Sequence, residues 1–184
     1  MSVVYNVVID QGADWYINFL YRQSTEITNI TADGTTVTVT ADNGFSPGQI
    51  VSIDGVLPNQ FNLQNVTVAS ATATQFTITN GATGIYISGG LATCPADLTN
   101  YTAALQLRTE PQSANYVLNL TTSNGGIAIT GATGLIEIHA TNTQTGAINE
   151  GPYYYDLEVT SPAPQNIVTR IAQGQAVVSA QVTR

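Results

Sequence analysis

Glu137 and His139 stand two residues apart in the run Leu135-Ile136-Glu137-Ile138-His139, so on a strand both side chains leave the same face. Such a pair is suited to acid–base work or to holding a metal. His139 is the only histidine in the chain, however, and one imidazole with one carboxylate is too small a ligand set for zinc. No Ser or Cys stands in a recognisable nucleophile elbow to complete a hydrolytic site. The pair therefore reads as the wet face of a strand.

Asp156 and Glu158 form a second same-face pair, in Tyr153-Tyr154-Tyr155-Asp156-Leu157-Glu158-Val159. Two carboxylates can cleave glycosides when a defined gap separates them and one has a raised pKa. Neighbours two apart on one strand are more simply its solvated side. Tyr153, Tyr155, Leu157 and Val159 fill the opposite face, which places Tyr154 outside with the acids, where it can contact a sugar or a protein. Phe61 and Tyr86 are further aromatic candidates for surface contact. No residue is assigned a catalytic, cofactor-binding or metal-binding role.

Other chemistry-bearing residues have simpler readings. Cys94 is the only cysteine, with no adjacent base to lower its thiol pKa, and reads as a small buried residue beside Pro95. Asp42-Asn43-Gly44, Asp54-Gly55, and Asp10 with Asp14 lack EF-hand spacing, and Asp-Gly and Asn-Gly are turn formers first. Asn29, Asn65, Asn100 and Asn119 each open an Asn-X-Thr triplet, which a Thr-rich chain produces by composition.

The elements that must position these residues are strands. Thr, Val, Asn, Gln, Ala and Gly dominate, a mix that favours strands and tight turns. Lysine is absent, and Arg22, Arg108, Arg170 and Arg184 are the only basic residues in a chain of net charge −8. That balance argues against nucleic acid and against an anionic membrane surface as partners. No apolar run approaches a membrane-spanning helix. The opening Met1-Ser2-Val3-Val4-Tyr5-Asn6 lacks the basic start of an export signal, which predicts synthesis in a cytoplasm.

The texture changes twice along the chain. Trp15, Ile17, Phe19 and Tyr21 alternate with Tyr16, Asn18 and Leu20, the pattern of a strand with one buried side. From Thr25 onward aromatics thin out and Thr-Val alternation takes over, as in Thr35-Thr36-Val37-Thr38-Val39-Thr40 after the Asp33-Gly34 turn. Near Pro95 the first texture returns. The reading is all-β: residues 1–24 and 95–184 form one discontinuous Ig-like antiparallel β-sandwich of about eight strands, interrupted by a small β-barrel-like module over residues 25–94. Ile85-Tyr86-Ile87 is placed where the module returns to its carrier, and residues 141–148 hold one helical turn.

Three stretches together resemble small structural and tail-associated proteins of tailed bacteriophages. They are Tyr5-Asn6-Val7-Val8-Ile9-Asp10-Gln11-Gly12-Ala13-Asp14-Trp15; Asp97-Leu98-Thr99-Asn100-Tyr101 through Arg108; and Val168-Thr169-Arg170-Ile171-Ala172-Gln173-Gly174 with a final Val182-Thr183-Arg184. In those proteins a strand like 13–23 runs almost directly into the segment like 97–108, which implies that 25–94 is an insertion. The insertion is itself similar to a β module of phage fibre and tail proteins, through Gly48-Gln49-Ile50-Val51-Ser52-Ile53-Asp54-Gly55-Val56 and Gln75-Phe76-Thr77-Ile78-Thr79.

The resemblance implies a non-enzymatic virion part without cofactors, a multicopy assembly or adaptor component of tail, baseplate or neck. Its partners would be other virion proteins and copies of itself. Two alternatives accompany it: a decoration protein on the capsid surface, and a glycan-binding host-attachment module using Tyr154, Tyr86 or Phe61.

Overall fold

The computed structural model describes residues 2–182; Met1, Thr183 and Arg184 lie outside them, and with them the end of the C-terminal stretch that carries the phage resemblance. The chain is all-β, as its composition predicts. Strands β1 (Val3–Val4), β2 (Val7–Asp10) and β3 (Trp15–Leu20) open it. Next come β4 (Arg22–Glu26), β5 (Asn29–Ala32), β6 (Thr36–Thr40), β7 (Ile50–Asp54), β8 (Val66–Ala71), β9 (Gln75–Thr79) and β10 (Leu91–Pro95). Then follow β11 (Thr102–Arg108), β12 (Leu118–Thr121), β13 (Ile127–Thr130), β14 (Leu135–Ala140), the short helix α1 (Asn142–Gly146), β15 (Gly151–Thr160) and β16 (Val168–Ser179).

Two compact units emerge, Met1–Tyr21 with Asp97–Arg184, and Arg22–Ala96. The boundaries lie slightly outside 24/25 and 94/95 because β4 and β10 pair with each other, Arg22 opposite Pro95. That ladder draws both ends of the middle segment into the inner unit. Ile85–Ile87 belongs to the inner unit as well, where Ile87 N–H donates to the Leu57 carbonyl at 2.9 Å. It is not the returning strand of the outer unit.

The outer unit is β-sandwich-like. One sheet runs β1-β16-β15-β11-β12, with β2 also on β16, and the other runs β13-β14-β3. Alternation decides what each buries. In β15 Tyr153, Tyr155, Leu157 and Val159 are buried, while Tyr154 is exposed and Asp156 and Glu158 are half-buried. Ile136, Ile138 and Ala140 of β14 are buried from the other sheet. In β3 the alternation of Trp15, Ile17 and Phe19 holds, but these side chains are only half-buried. Among the described residues the strand has a partner on one side only, β14.

The antiparallel expectation needs one correction. β1 and β2 run parallel to β16, pairing Val3 with Ala172 and Val7 with Ala176. The first strand of the chain thus lies along the last, a placement that no short hairpin link can produce. Where β1 passes into β2 the side chain of Asn6 replaces the ladder, its Oδ1 accepting from Gln175 N–H at 2.9 Å.

The inner unit is a seven-stranded antiparallel arrangement in the order β4-β10-β7-β8-β9-β6-β5. Its own apolar cluster joins Val37, Val39, Val51, Ile53, Phe61, Phe76, Ile78 and Ala92. The Asp33-Gly34 turn forms as expected; Asp33 Oδ1 accepts from the backbone N–H of Thr35 and Thr36, and these bonds hold its carboxyl below the usual range.

In the outer unit both chain crossings are tied to the same turn. Tyr21 N–H donates to the Gly134 carbonyl at 2.9 Å, and Leu98 N–H to the Gly131 carbonyl at 2.8 Å. Insertions are tolerated where the carrier ends are close. Replacing residues 22–96 by a short Gly-Ser bridge is therefore expected to leave a cooperatively folding outer unit. Trp15 is the only tryptophan, so its fluorescence reads that unit alone. A bridged protein whose Trp15 emission is that of an unfolded chain would refute the insertion.

Candidate functional site

The sequence candidates fall in different places. Phe61 is fully buried, which corrects its assignment as a surface contact. It ends a 3-10 turn, Asn59–Phe61, that aims the ring into the inner core. The loop is pinned by Asn62, whose Oδ1 accepts from Val56 N–H at 2.8 Å and whose amide donates to the Val56 carbonyl at 3.2 Å. Tyr86 is half-buried against the same core, with its hydroxyl 3.1 Å from the Ile27 carbonyl and 3.0 Å from that of Gly89. Its polar end is committed to backbone, so Tyr86 is a strap and offers no free aromatic platform.

Cys94 is buried, and burial pushes its thiol up; the Gln23 amide 3.4 Å away and Arg22 oppose that less strongly. A thiol so placed is a poor nucleophile. His139 stacks on Tyr16, ring centroids 4.3 Å apart. Its Nε2 is shielded from water although the side chain is 38% exposed; it lies 3.5 Å from Asp14 Oδ1, without hydrogen-bond geometry. Asp14 Oδ1 in turn accepts from Asn142 N–H at the start of α1. Glu137 shares a shallow recess with His139, Tyr16 and Asn18.

The loop acids are used locally. Asp54 accepts from Gln64, Asp10 from Ser179, and the Asp42 carbonyl from Thr25. Among the described residues no three His, Cys, Asp or Glu side chains converge as metal ligands. No helix there is long and apolar enough to cross a membrane.

Tyr154 and Asp156 do come together with other groups. They line an open cleft of about 560 Å³ on the outward face of the larger sheet of the outer unit. Its floor is two cross-strand rows: Gln175, Tyr154 and Arg108, then Gln173, Asp156 and Gln106. Val4 and Asn6 of the first strand and Pro111 after β11 add further lining.

Arg170 joins this face through a β-bulge. The β15–β16 register passes from Leu157–Ala172 to Glu158–Arg170, leaving Ile171 without a partner. Ile171 and Ala172 are both buried, and the extra residue turns Arg170 outward. Its Nε lies 3.3 Å from Asp156 Oδ2 and 3.7 Å from Glu158 Oε1, and its guanidinium donates to Gln173 Oε1 at 3.1 Å. The second cation, Arg108, donates to the Ser113 carbonyl and, at 2.5 Å, to Gln106 Oε1.

Beneath the cleft Tyr155 donates its hydroxyl to the Tyr5 carbonyl at 2.6 Å, and burial pushes its pKa up to about 12. The shared face of Tyr154, Asp156 and Glu158 was readable from alternation. The contributions of Arg108, Arg170 and the glutamines were not, because they arrive from other strands. The adjacent buried pair Ile171-Ala172, an interruption of period two, is the one local signal of the bulge.

Neither a scan against protein-family models nor a search of the curated proteins finds a match for this chain.

Proposed function

We propose that this chain is a non-enzymatic structural component of a tailed-bacteriophage virion, a multicopy assembly or adaptor part of the tail, baseplate or neck. The outer unit would be an Ig-like sandwich. In support, a three-stranded sheet accompanies a larger one whose N-terminal edge strand runs parallel to the final strand. Near the start of β15 the Tyr153 hydroxyl donates to the Asn149 carbonyl at 2.8 Å, the arrangement of a tyrosine corner. The inner unit would be a small barrel. In support, only Ile27 and Thr28 separate β4 from β5, which pair with β10 and β6 at opposite ends of the strand order, so the chain itself joins the two ends.

The observation that carries the assembly role is the outer edge of the larger sheet. β1 and β2 end the strand order, and Val3, Val4 and Val8 on them are 60%, 70% and 61% exposed. An apolar edge strand with an unpaired backbone side is a template for another chain's strand, and proteins that stay monomeric usually blunt it with charge or proline. This edge carries neither before Asp10. Its occupant is a strand of a neighbouring virion subunit. The phage resemblance adds weight, because its three segments supply β2, β11 and β16 of this same sheet.

The double variant Val4→Lys/Val8→Lys tests the edge. Both side chains are exposed, so the monomer's melting temperature should stay nearly unchanged. Incorporation into particles, read by quantitative mass spectrometry of purified virions, should fall at least about tenfold, as expected when charge is set against an apolar strand contact. Undiminished incorporation would reject the edge as the assembly surface. Absence of the wild-type protein from particles would reject the virion role.

A further inference from the structure

We infer that the cleft over β11, β15 and β16 is a binding site for a short, uncharged oligosaccharide. A volume of about 560 Å³ is within the range of small-ligand sites. The ligand class follows from how its charges are spent. Arg170 is held by Asp156 and Glu158, and Arg108 by the Ser113 carbonyl and Gln106. Glu158 stands beside the lining, and counted with it two guanidinium groups accompany two carboxylates, although only Arg170 is paired with them. An anionic ligand would compete with the acceptors that already hold Arg170 and Arg108, and a cationic one with Arg170 for Asp156 and Glu158. A polyol asks for no such exchange.

The groups left facing the opening suit hydroxyls. Gln175 offers a whole amide, while Gln173 and Asn6 keep their N–H donors, their oxygens already accepting from Arg170 and from Gln175 N–H; Asp156 Oδ1 is an acceptor beside them. Tyr154, 40% exposed, supplies what a sugar needs besides hydrogen bonds: a flat apolar ring with a polar tip, on which the C–H face of a pyranose can lie. Pro111 lines the same opening and is conformationally stiff. The β16 bulge is what offsets the two acids of β15. It brings Arg170 outward to Asp156 and Glu158, which would otherwise leave two bare carboxylates on the face.

The cleft borders the edge strand through Val4 and Asn6, and a single experiment distinguishes sugar binding from the edge's role in assembly. The full chain is titrated, by amide-resolved NMR, with neutral oligosaccharides (glucans, galactans, N-acetylglucosamine oligomers). Sialylated and uronic-acid oligosaccharides and an extended acidic peptide are run in parallel. The expected result is saturable binding of a neutral sugar, with the largest shifts at Tyr154, Asp156, Gln173 and Gln175. Tyr154→Ala and Gln173→Ala should each weaken it by about tenfold or more, with an unchanged melting temperature and unchanged incorporation into particles. No neutral sugar binding at millimolar concentration would overturn the inference. So would binding confined to the charged sugars or the peptide, or binding that survives both substitutions.

Discussion

Phe61→Ala is expected to unfold residues 22–96 at temperatures where Trp15 fluorescence still reports a folded outer unit. Phe61 is among the largest fully buried side chains of the protein and belongs to the inner cluster with Val51, Ile53, Phe76 and Ile78. Truncating a buried phenylalanine costs about 3–5 kcal/mol, because transfer free energy is lost and the cavity only partly collapses. A domain this small has a total stability near the low end of about 5–15 kcal/mol, so the loss removes most of it. The 3-10 turn and the Asn62 staple to Val56 hold the ring's position from the loop side, and neighbouring strands cannot easily fill the gap.

The signals separate cleanly. Trp15 and all tyrosines except Tyr86 lie outside residues 22–96. Hydrogen exchange should show protection lost across β5–β9 and retained across β11–β16, while the Trp15 transition stays close to its wild-type midpoint. A single transition in which Trp15 emission and inner-unit protection vanish together, at a lowered temperature, would mean one cooperative core and would refute two units.

The same residue shows where sequence reasoning stops. Period-two alternation made β3, β6, β11 and β15 readable, since a strand with one wet face writes its burial into every second residue. Phe61 lies between Pro58 and Asn62 in a stretch with no period, and only the turn geometry decides that its ring goes inward. Tyr86 fails for a related reason: it lies outside any strand, and its hydroxyl is held by the carbonyls of Ile27, far away in sequence, and Gly89. The inner unit was visible as a change of texture, yet its ends were displaced because the β4–β10 pairing is a contact between distant residues. At the cleft, the strand carrying Tyr154, Asp156 and Glu158 could be read locally. Their neutralisation by Arg170 could not, because it depends on a one-residue register shift against a strand that begins eight residues beyond β15.

Gly174→Val should release the N-terminal strand, and with it the edge on which the proposed assembly role rests. A Cβ at residue 174 would stand 2.2 Å from the Tyr5 carbonyl oxygen and 2.8 Å from its carbon. Those are backbone atoms, so no rotamer change relieves the clash; either β16 or the first strand must move. β16 is paired with β15 from Val168 to Val178 except at the Ile171 bulge, whereas among the described residues the first strand has one neighbour only. The first strand therefore yields. Its departure breaks the Tyr155 hydroxyl bond to Tyr5, removes Asn6 from Gln175 N–H, and uncovers Ile9 and Val7. Overpacking of this kind costs about 1–3 kcal/mol, and the loss of the buried strand adds to it. Amides of residues 3–10 should lose exchange protection, chymotrypsin should cut after Tyr5, and incorporation into particles should fall as in the lysine variant. Val177→Thr, on the outward side of the same strand, controls for a change in β16 itself and should leave all three readouts in place. Persistence of protection over residues 3–10 in Gly174→Val would show that the first strand is not held against β16 at Gly174, and the edge would then have to be anchored by Val7 and Ile9 alone.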